Sequence, residues 1–197
     1  MKNKNYSLKD LQKTGAVNEK EVENMKLTVV QALKTFDIKE LLKRQAMLDE
    51  KFDEKKTIKA RTVKGIQVAL ITEIGELIQE LKSEWNYWKN STGKFNKSKV
   101  LEELSDVLHF YLSYINAKDE ETKGKIIPFL DEFLAEDIKN LEVALIFLSK
   151  FSGEKENKII AAMLIVAEYV GATEEEFLQI HHEKWLKNMN ERTKEEY

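Results

Sequence analysis

Residues 62–85, TVKGIQVALITEIGELIQELKSEW, and residues 99–115, KVLEELSDVLHFYLSYI, decide the fold. In both stretches apolar residues recur every three or four positions, which is the period of an α-helix with a buried face. The first stretch is predicted to form one continuous helix. The second is apolar on two sides, which is typical of a central helix that is packed against several others.

The remainder of the chain has the same helical period. It holds one proline and seven glycines in 197 residues, so few positions can end a helix. Asp37 is predicted to cap a helix, Gly171 to end one, and Thr173 with Glu176 to form a capping box. Further helices are predicted after Ser7 and over about 19–35, 38–52, 131–151, 155–169 and 173–190. No segment of useful length has the period of a strand, so the predicted fold is an all-α helical bundle.

Composition excludes several classes of protein. A formal net charge of −3 argues against non-specific nucleic-acid binding, and the absence of cysteine excludes disulfides and zinc–thiolate sites. No stretch approaches the roughly 18 consecutive apolar residues of a membrane span. The first residues, MKNKNYSLKDLQKTG, are too polar for a signal peptide. We therefore expect a soluble, cytoplasmic protein without a nucleic-acid or membrane partner.

Two acidic pairs stand inside the two apolar stretches, Glu73/Glu76 in the first and Glu103/Asp106 in the second. Residues three apart project from one side of a helix, so two packed helices would bring four carboxylates together. Carboxylate oxygens are the ligands with which proteins hold Mg²⁺ against a phosphate chain. This pattern suggests a metal-dependent enzyme acting on a polyphosphate. The alternative is a set of buried carboxylates paired with Lys or Arg in a plain helical bundle.

Four motifs in this order resemble the dimeric, all-α dUTPase family, part of the MazG-like nucleoside triphosphate pyrophosphatase superfamily. They are LLKRQAMLD, EIGELIQELKSEWNYWK, LEELSDVLHFYLSYI and the tail KNMNERTKEEY. The tail departs from the family at Thr193 and Glu196, where Gln and Gly are usual. The resemblance covers residues 37–197 and implies an all-α catalytic domain there. Residues 1–36 have no counterpart and are interpreted as a helical extension of unknown role.

The resemblance implies roles for the acidic residues. Glu73, Glu76, Glu103 and Asp106 would bind two or more Mg²⁺ ions. Glu80 lies one turn beyond Glu76 and could orient the attacking water, so Glu73, Glu76 and Glu80 are the candidate catalytic residues.

The resemblance also implies a set of substrate-binding residues. Gln45 would read the edge of uracil, Trp88 would form a wall against the base, and the tail would bind phosphate. The full set is Gln45, Asp49, Trp88, His109, Lys187, Asn188, Arg192 and Tyr197. Trp85, by contrast, continues the apolar stripe, and His181 and His182 are interpreted as surface residues.

The implied function is Mg²⁺-dependent hydrolysis of dUTP, and of dUDP, to dUMP. This reaction limits the incorporation of uracil into DNA. We expect a homodimer, with a protein partner as a further possibility if the chain is encoded by a phage. The alternatives are a MazG-like pyrophosphatase of another nucleotide such as dCTP, and a non-catalytic helical interaction module.

Overall fold

The computed structural model describes residues 37–54, 59–88, 93–118, 121, 138, 140–150 and 157–194. Seven helices and one 3-10 turn account for the secondary structure of these residues, and no strand occurs among them. The helices are α1 (Ile38–Asp53), α2 (Val63–Glu80), α3 (Lys82–Trp85), α4 (Lys97–Asn116), α5 (Leu141–Ser149), α6 (Asn157–Tyr169) and α7 (Glu174–Asn190), and the 3-10 turn is Arg192–Lys194. The prediction of an all-α bundle is confirmed.

Helix α4 lies at the centre of the bundle. It packs most extensively against α2 and also contacts α1, α6 and α7. Leu104, Leu108 and Leu112 on α4 are fully buried, as are Leu70 and Leu77 on α2. The prediction that this helix is central because it is apolar on two sides is therefore correct.

The predicted N-caps Asp37 and Thr173 are found where the sequence places them. The Asp37 carboxylate accepts a hydrogen bond from the Glu40 backbone N–H at 3.1 Å, and the Thr173 hydroxyl accepts one from the Glu176 N–H at 3.1 Å. The Glu176 side chain does not complete a capping box but pairs with Lys97 Nζ at 2.7 Å. Tertiary contact between α7 and the start of α4 thus outcompetes the local cap.

Gly171 ends α6 in the left-handed conformation, with φ +73°. Its N–H donates to the Glu168 carbonyl, and the Ala172 N–H donates to the Ala167 carbonyl, both at 2.9 Å. These two bonds form a Schellman motif, in which glycine is favoured because it has no Cβ to clash.

The prediction of one continuous helix over residues 62–85 is wrong in its last turn. Helix α2 ends at Glu80, and the chain restarts as the four-residue helix α3 after a break at Leu81. The Trp85 indole N–H donates to the Ile78 carbonyl at 2.8 Å. Ile78 is one of the last residues of α2, whose carbonyls lack intrahelical partners. The buried Leu81 side chain and this indole bond together replace the final helical turn.

Some predictions fall outside the described residues. These are the helices after Ser7 and over 19–35 and most of the helix over 131–151, of which α5 is the described part. The described part of the chain contains no helix that combines the length and apolarity needed to cross a membrane.

Leu77→Ala should destabilise the protein by about 2–5 kcal/mol, because it opens a cavity between α2 and α4. Leu186→Ala makes the same chemical change at a side chain that is 40% exposed, whereas Leu77 is 0% exposed. It should cost much less. Urea unfolding of both variants measures the difference, and equal losses would contradict the packing described here.

Candidate active site

An acidic cluster lies where α2 faces α4. Glu73 of α2 and Glu103 and Asp106 of α4 each offer a carboxylate oxygen, and these oxygens lie within 4.8 Å of one another. The i,i+3 spacing on α4 aims both of its carboxylates at α2, as the sequence predicts. Glu76, the fourth predicted ligand, is exposed one turn along α2, beside this group.

The cluster crowds negative charge in a half-buried place. Burial, reinforced by the carboxylates of Asp106, Glu76 and Glu103, raises the pKa of Glu73 to about 7. Burial is also the main cause of a raised pKa at Glu103, to which Glu76 and Glu80 contribute repulsion. A bound divalent cation would relieve this repulsion.

Lys184 of α7 is a component of the cluster that the sequence analysis missed. Its ammonium donates to the Asp106 carboxylate and, at 3.0 Å, to the Glu102 carbonyl. The side chains of Lys184 and Asp106 are 15% and 19% exposed, so the pair is largely desolvated. The signal available in the sequence was its position four residues before Asn188, which places both on one face of α7.

A cavity of about 420 Å³ opens beside the acidic cluster, between α1, α2, α4 and the end of α7. Glu73 and Asp106 belong to both the cluster and the cavity wall. The wall is otherwise partly apolar and partly polar. Its remaining residues are Gln45, Leu48, Asp49, Phe52, Ala60, Arg61, Thr62, Gly65, Ile66, Ala69, His109, Phe110, Ser113, Asn188 and Arg192.

A family model described as dUTPase matches residues 37–197, more than half of the chain. The chain belongs to the all-α dUTPase family. It is therefore a dUTP diphosphatase, an enzyme that hydrolyses dUTP. No curated protein matches the chain. Family membership argues against the non-catalytic interaction module.

The structure of this dUTPase brings five of the eight predicted substrate residues to the cavity: Gln45, Asp49, His109, Asn188 and Arg192. Lys187 is exposed and is not among the lining residues. Trp88 is 58% exposed and packs against the rings of Trp85 and Tyr87 instead. Tyr197 lies outside the described residues.

The polar part of the cavity wall is a chain of hydrogen bonds. Gln45 Nε2 donates to Asp49 Oδ1 at 2.8 Å, and Gln45 Oε1 lies 2.8 Å from His109 Nδ1. Arg61 Nη1 donates to Asp49 Oδ2 at 3.2 Å and to Ser113 Oγ at 3.3 Å. Arg61 precedes α2 in a stretch without helical period, so nothing in the sequence pointed to it.

The prediction that His181 is a surface residue is wrong. His181 is 4% exposed, because α7 buries the face that carries Phe177, His181 and Asn188. Its Nδ1 lies 3.1 Å from Ser105 Oγ, and its ring centroid lies 4.1 Å from that of His109. His182, on the adjacent face, is partly exposed and contacts Arg44 at 3.2 Å.

Both buried histidines are neutral in the folded protein. Burial lowers the pKa of His181 to about 3 and holds the pKa of His109 well below its ordinary value, with the neighbouring His181 and Lys184 adding to the effect on His109. They therefore serve as neutral hydrogen-bonding groups at ordinary pH.

Glu73→Gln should stabilise the metal-free protein at pH 8, because it removes a carboxylate from a repulsive cluster. At pH 5 most of the effect should be lost, since a pKa of about 7 leaves Glu73 already protonated in the folded protein there. Thermal melts in EDTA at both pH values test this, with the exposed Glu50→Gln as the control. A structural role for Glu73 would instead make the variant less stable at both.

The two buried histidines should lower the stability of the folded protein as the pH falls below 6.5. The unfolded histidines bind protons from about pH 6.5 downward, whereas His181 in the folded state stays neutral to about pH 3. Each buried histidine then contributes a loss of about 1.4 kcal/mol per pH unit. In His181→Gln the loss should be smaller than in the wild type. Urea unfolding at pH 7.5, 6 and 5 measures it, and equal slopes would refute the assignment.

Proposed function

We propose that this enzyme hydrolyses dUTP to dUMP and pyrophosphate in a Mg²⁺-dependent reaction, and dUDP to dUMP and phosphate. The observation that carries the proposal is the junction of the acidic cluster with the cavity, through Glu73 and Asp106. A nucleoside in the cavity would direct its phosphate chain at the carboxylates. Removing dUTP in this way would limit the incorporation of uracil into DNA.

The donor set fits Mg²⁺. Glu73, Glu76, Glu103 and Asp106 would hold two or more ions, since they offer only the carboxylate oxygens that this hard cation prefers. Bound Mg²⁺ would neutralise phosphate charge and make the attacking water more acidic. Lys184, through its ion pair with Asp106, would place a positive charge beside the bound ions. Glu80, on the same helix as Glu73 and Glu76, would accept a hydrogen bond from the attacking water.

The cavity fits a pyrimidine nucleoside. Phe52 and Phe110 supply flat apolar surface, and Gln45, His109 and Asn188 supply polar groups. Buried atoms without a hydrogen-bond partner include His109 Nε2 and Asn188 Oδ1. Unpaired buried acceptors are costly, and a ligand that donates to them would remove that cost. Arg192, which lines the cavity, and Lys187 would donate to phosphate oxygens.

Catalysis is assigned to residues 37–197, the range of the family match. A homodimer is supported by the exposed apolar side chains on α2, where Val68 is 65% and Ile71 52% exposed. These two side chains lie one turn apart on the same face of α2. The same patch on a second copy of the chain could cover them across a two-fold axis.

Incubation with dUTP, dCTP, dTTP and UTP, in Mg²⁺ and in EDTA, tests the function. We expect Mg²⁺-dependent dUMP and pyrophosphate from dUTP, with the other nucleotides little changed, on anion-exchange chromatography. Glu73→Gln and Asp106→Asn should each reduce the rate by about 100-fold or more while the fold is retained.

Glu50→Gln, an exposed carboxylate on α1, is the matched control and should retain full activity. Full activity in both cluster variants would contradict the assignment of the cluster. Equal hydrolysis of dCTP would instead indicate a broader pyrophosphatase.

A further inference from the structure

We propose that Arg61 is a positioning residue that fixes the amide orientation of Gln45 and thereby makes the site prefer uracil over cytosine. The inference deepens the proposed function and rests on it. It concerns a residue that neither the sequence motifs nor the acidic cluster points to.

Arg61 is anchored from both sides of its guanidinium. Its Nε and Nη2 donate to the two oxygens of Asp53, at 2.9 Å and 2.6 Å, and its Nη1 donates to Asp49 and Ser113. The planar fork of arginine suits this bidentate geometry, and its positive charge is permanent. Arg61, at one end of this hydrogen-bond network, can therefore only donate.

Asp49 transmits this fixed role to Gln45. Its Oδ2 accepts from Arg61, and its Oδ1 accepts from Gln45 Nε2 at 2.8 Å. An ionised carboxylate has only acceptors, so only the amide nitrogen of Gln45 can face it. Burial raises the pKa of the Asp49 carboxyl, and the charge of Arg61 opposes that rise, so Asp49 would take up a proton if Arg61 were removed.

The amide oxygen of Gln45 must then face His109. Since Oε1 accepts, His109 Nδ1 is the donor in this 2.8 Å contact. His109 is neutral, so its other nitrogen, Nε2, is an acceptor. The tautomer of His109 therefore reports the direction of the whole network that begins at Arg61.

This direction decides which base can pair with Gln45. One N–H and one lone pair of its amide remain for a ligand. Uracil presents a carbonyl acceptor beside the N3–H donor, whereas cytosine presents an amino donor beside the N3 acceptor. The two patterns need opposite orientations of an amide. Arg61 holds the orientation that suits uracil. With cytosine in the same position, the Gln45 N–H would face the amino donor and the Gln45 oxygen would face the N3 acceptor.

The test measures binding of dUMP and dCMP by calorimetry in EDTA, which removes the metal from the comparison. The wild type should prefer dUMP, and Arg61→Met should reduce the ratio of the two affinities by about tenfold. Arg61→Lys, which keeps the charge, should restore part of the ratio. The matched control is Arg44→Met: this arginine also pairs with a carboxylate on α1 (Glu40), and its side chain is 39% exposed against 33% for Arg61. The ratio of the dUMP and dCMP affinities should not change in Arg44→Met.

Nitrogen NMR of the histidine side chains supplies a readout that a merely structural role would not move. His109 should carry its proton on Nδ1 in the wild type and in Arg44→Met. In Arg61→Met the buried Asp49 loses its cationic partner and takes up a proton, so it can donate to Gln45 Oε1, as the amide of Asp49→Asn can. In both variants a population with the His109 proton on Nε2 should appear. The His109→Gln spectrum assigns the signals.

The outcomes separate the inference from the proposed function. A wild type that binds dUMP and dCMP equally overturns the uracil selectivity of the proposed function. A selective wild type with an unchanged ratio and tautomer in Arg61→Met overturns the role of Arg61 alone. If Arg61→Met does not fold, Asp49→Asn decides by the same two measurements, and an unchanged ratio there also overturns the inference.

Discussion

The burial of α4 is the constraint on which the rest of the structure depends. Four other helices pack around it, so each buried polar side chain on α4 must find its partner inside the protein. Ser105 meets His181, His109 meets Gln45, Ser113 meets Arg61 and Asp106 meets Lys184. These partners come from α1, α7 and the segment before α2. The requirement that buried polar groups be satisfied thus draws the other elements to one side of α4, where the cavity forms.

The acidic cluster works against the stability of the fold. The raised pKa values of Glu73 and Glu103 show that packing α2 on α4 forces carboxylates together in a partly desolvated place. The buried Leu70 and Leu77 on the same helix hold this arrangement, since separating the helices would expose apolar surface. Lys184 offsets part of the repulsion at Asp106. In the proposed reaction, Mg²⁺ and the phosphate chain of dUTP would complement this cluster.

The cavity joins two kinds of chemistry along α4. Asp106 ends the acidic side and His109, one turn later, begins the neutral polar side. On the acidic side, recognition would depend on charge, because the carboxylates would bind a cation together with phosphates. On the neutral side, recognition would depend on the orientation of hydrogen bonds, because the neighbours of Gln45 and His109 set which of their atoms donate and which accept. Arg61, which always donates, would fix the orientation of these hydrogen bonds.

The sequence by itself determined the all-α class, the N-caps at Asp37 and Thr173 and the acidic pairs, because these depend on residues three or four positions apart. Apolar period predicted α2 and α4, Asp37 and Thr173 were recognisable as caps, and the motifs identified the family. The break at Leu81, the burial of His181, the Asp106–Lys184 pair and the position of Arg61 were decided only by the tertiary structure. Each depends on contacts between residues distant in sequence, or on a side chain that bonds to a neighbouring helix, as Trp85 does to Ile78. A periodic pattern shows which face of a helix is apolar. It does not show which neighbour covers that face, nor which buried polar groups will meet there.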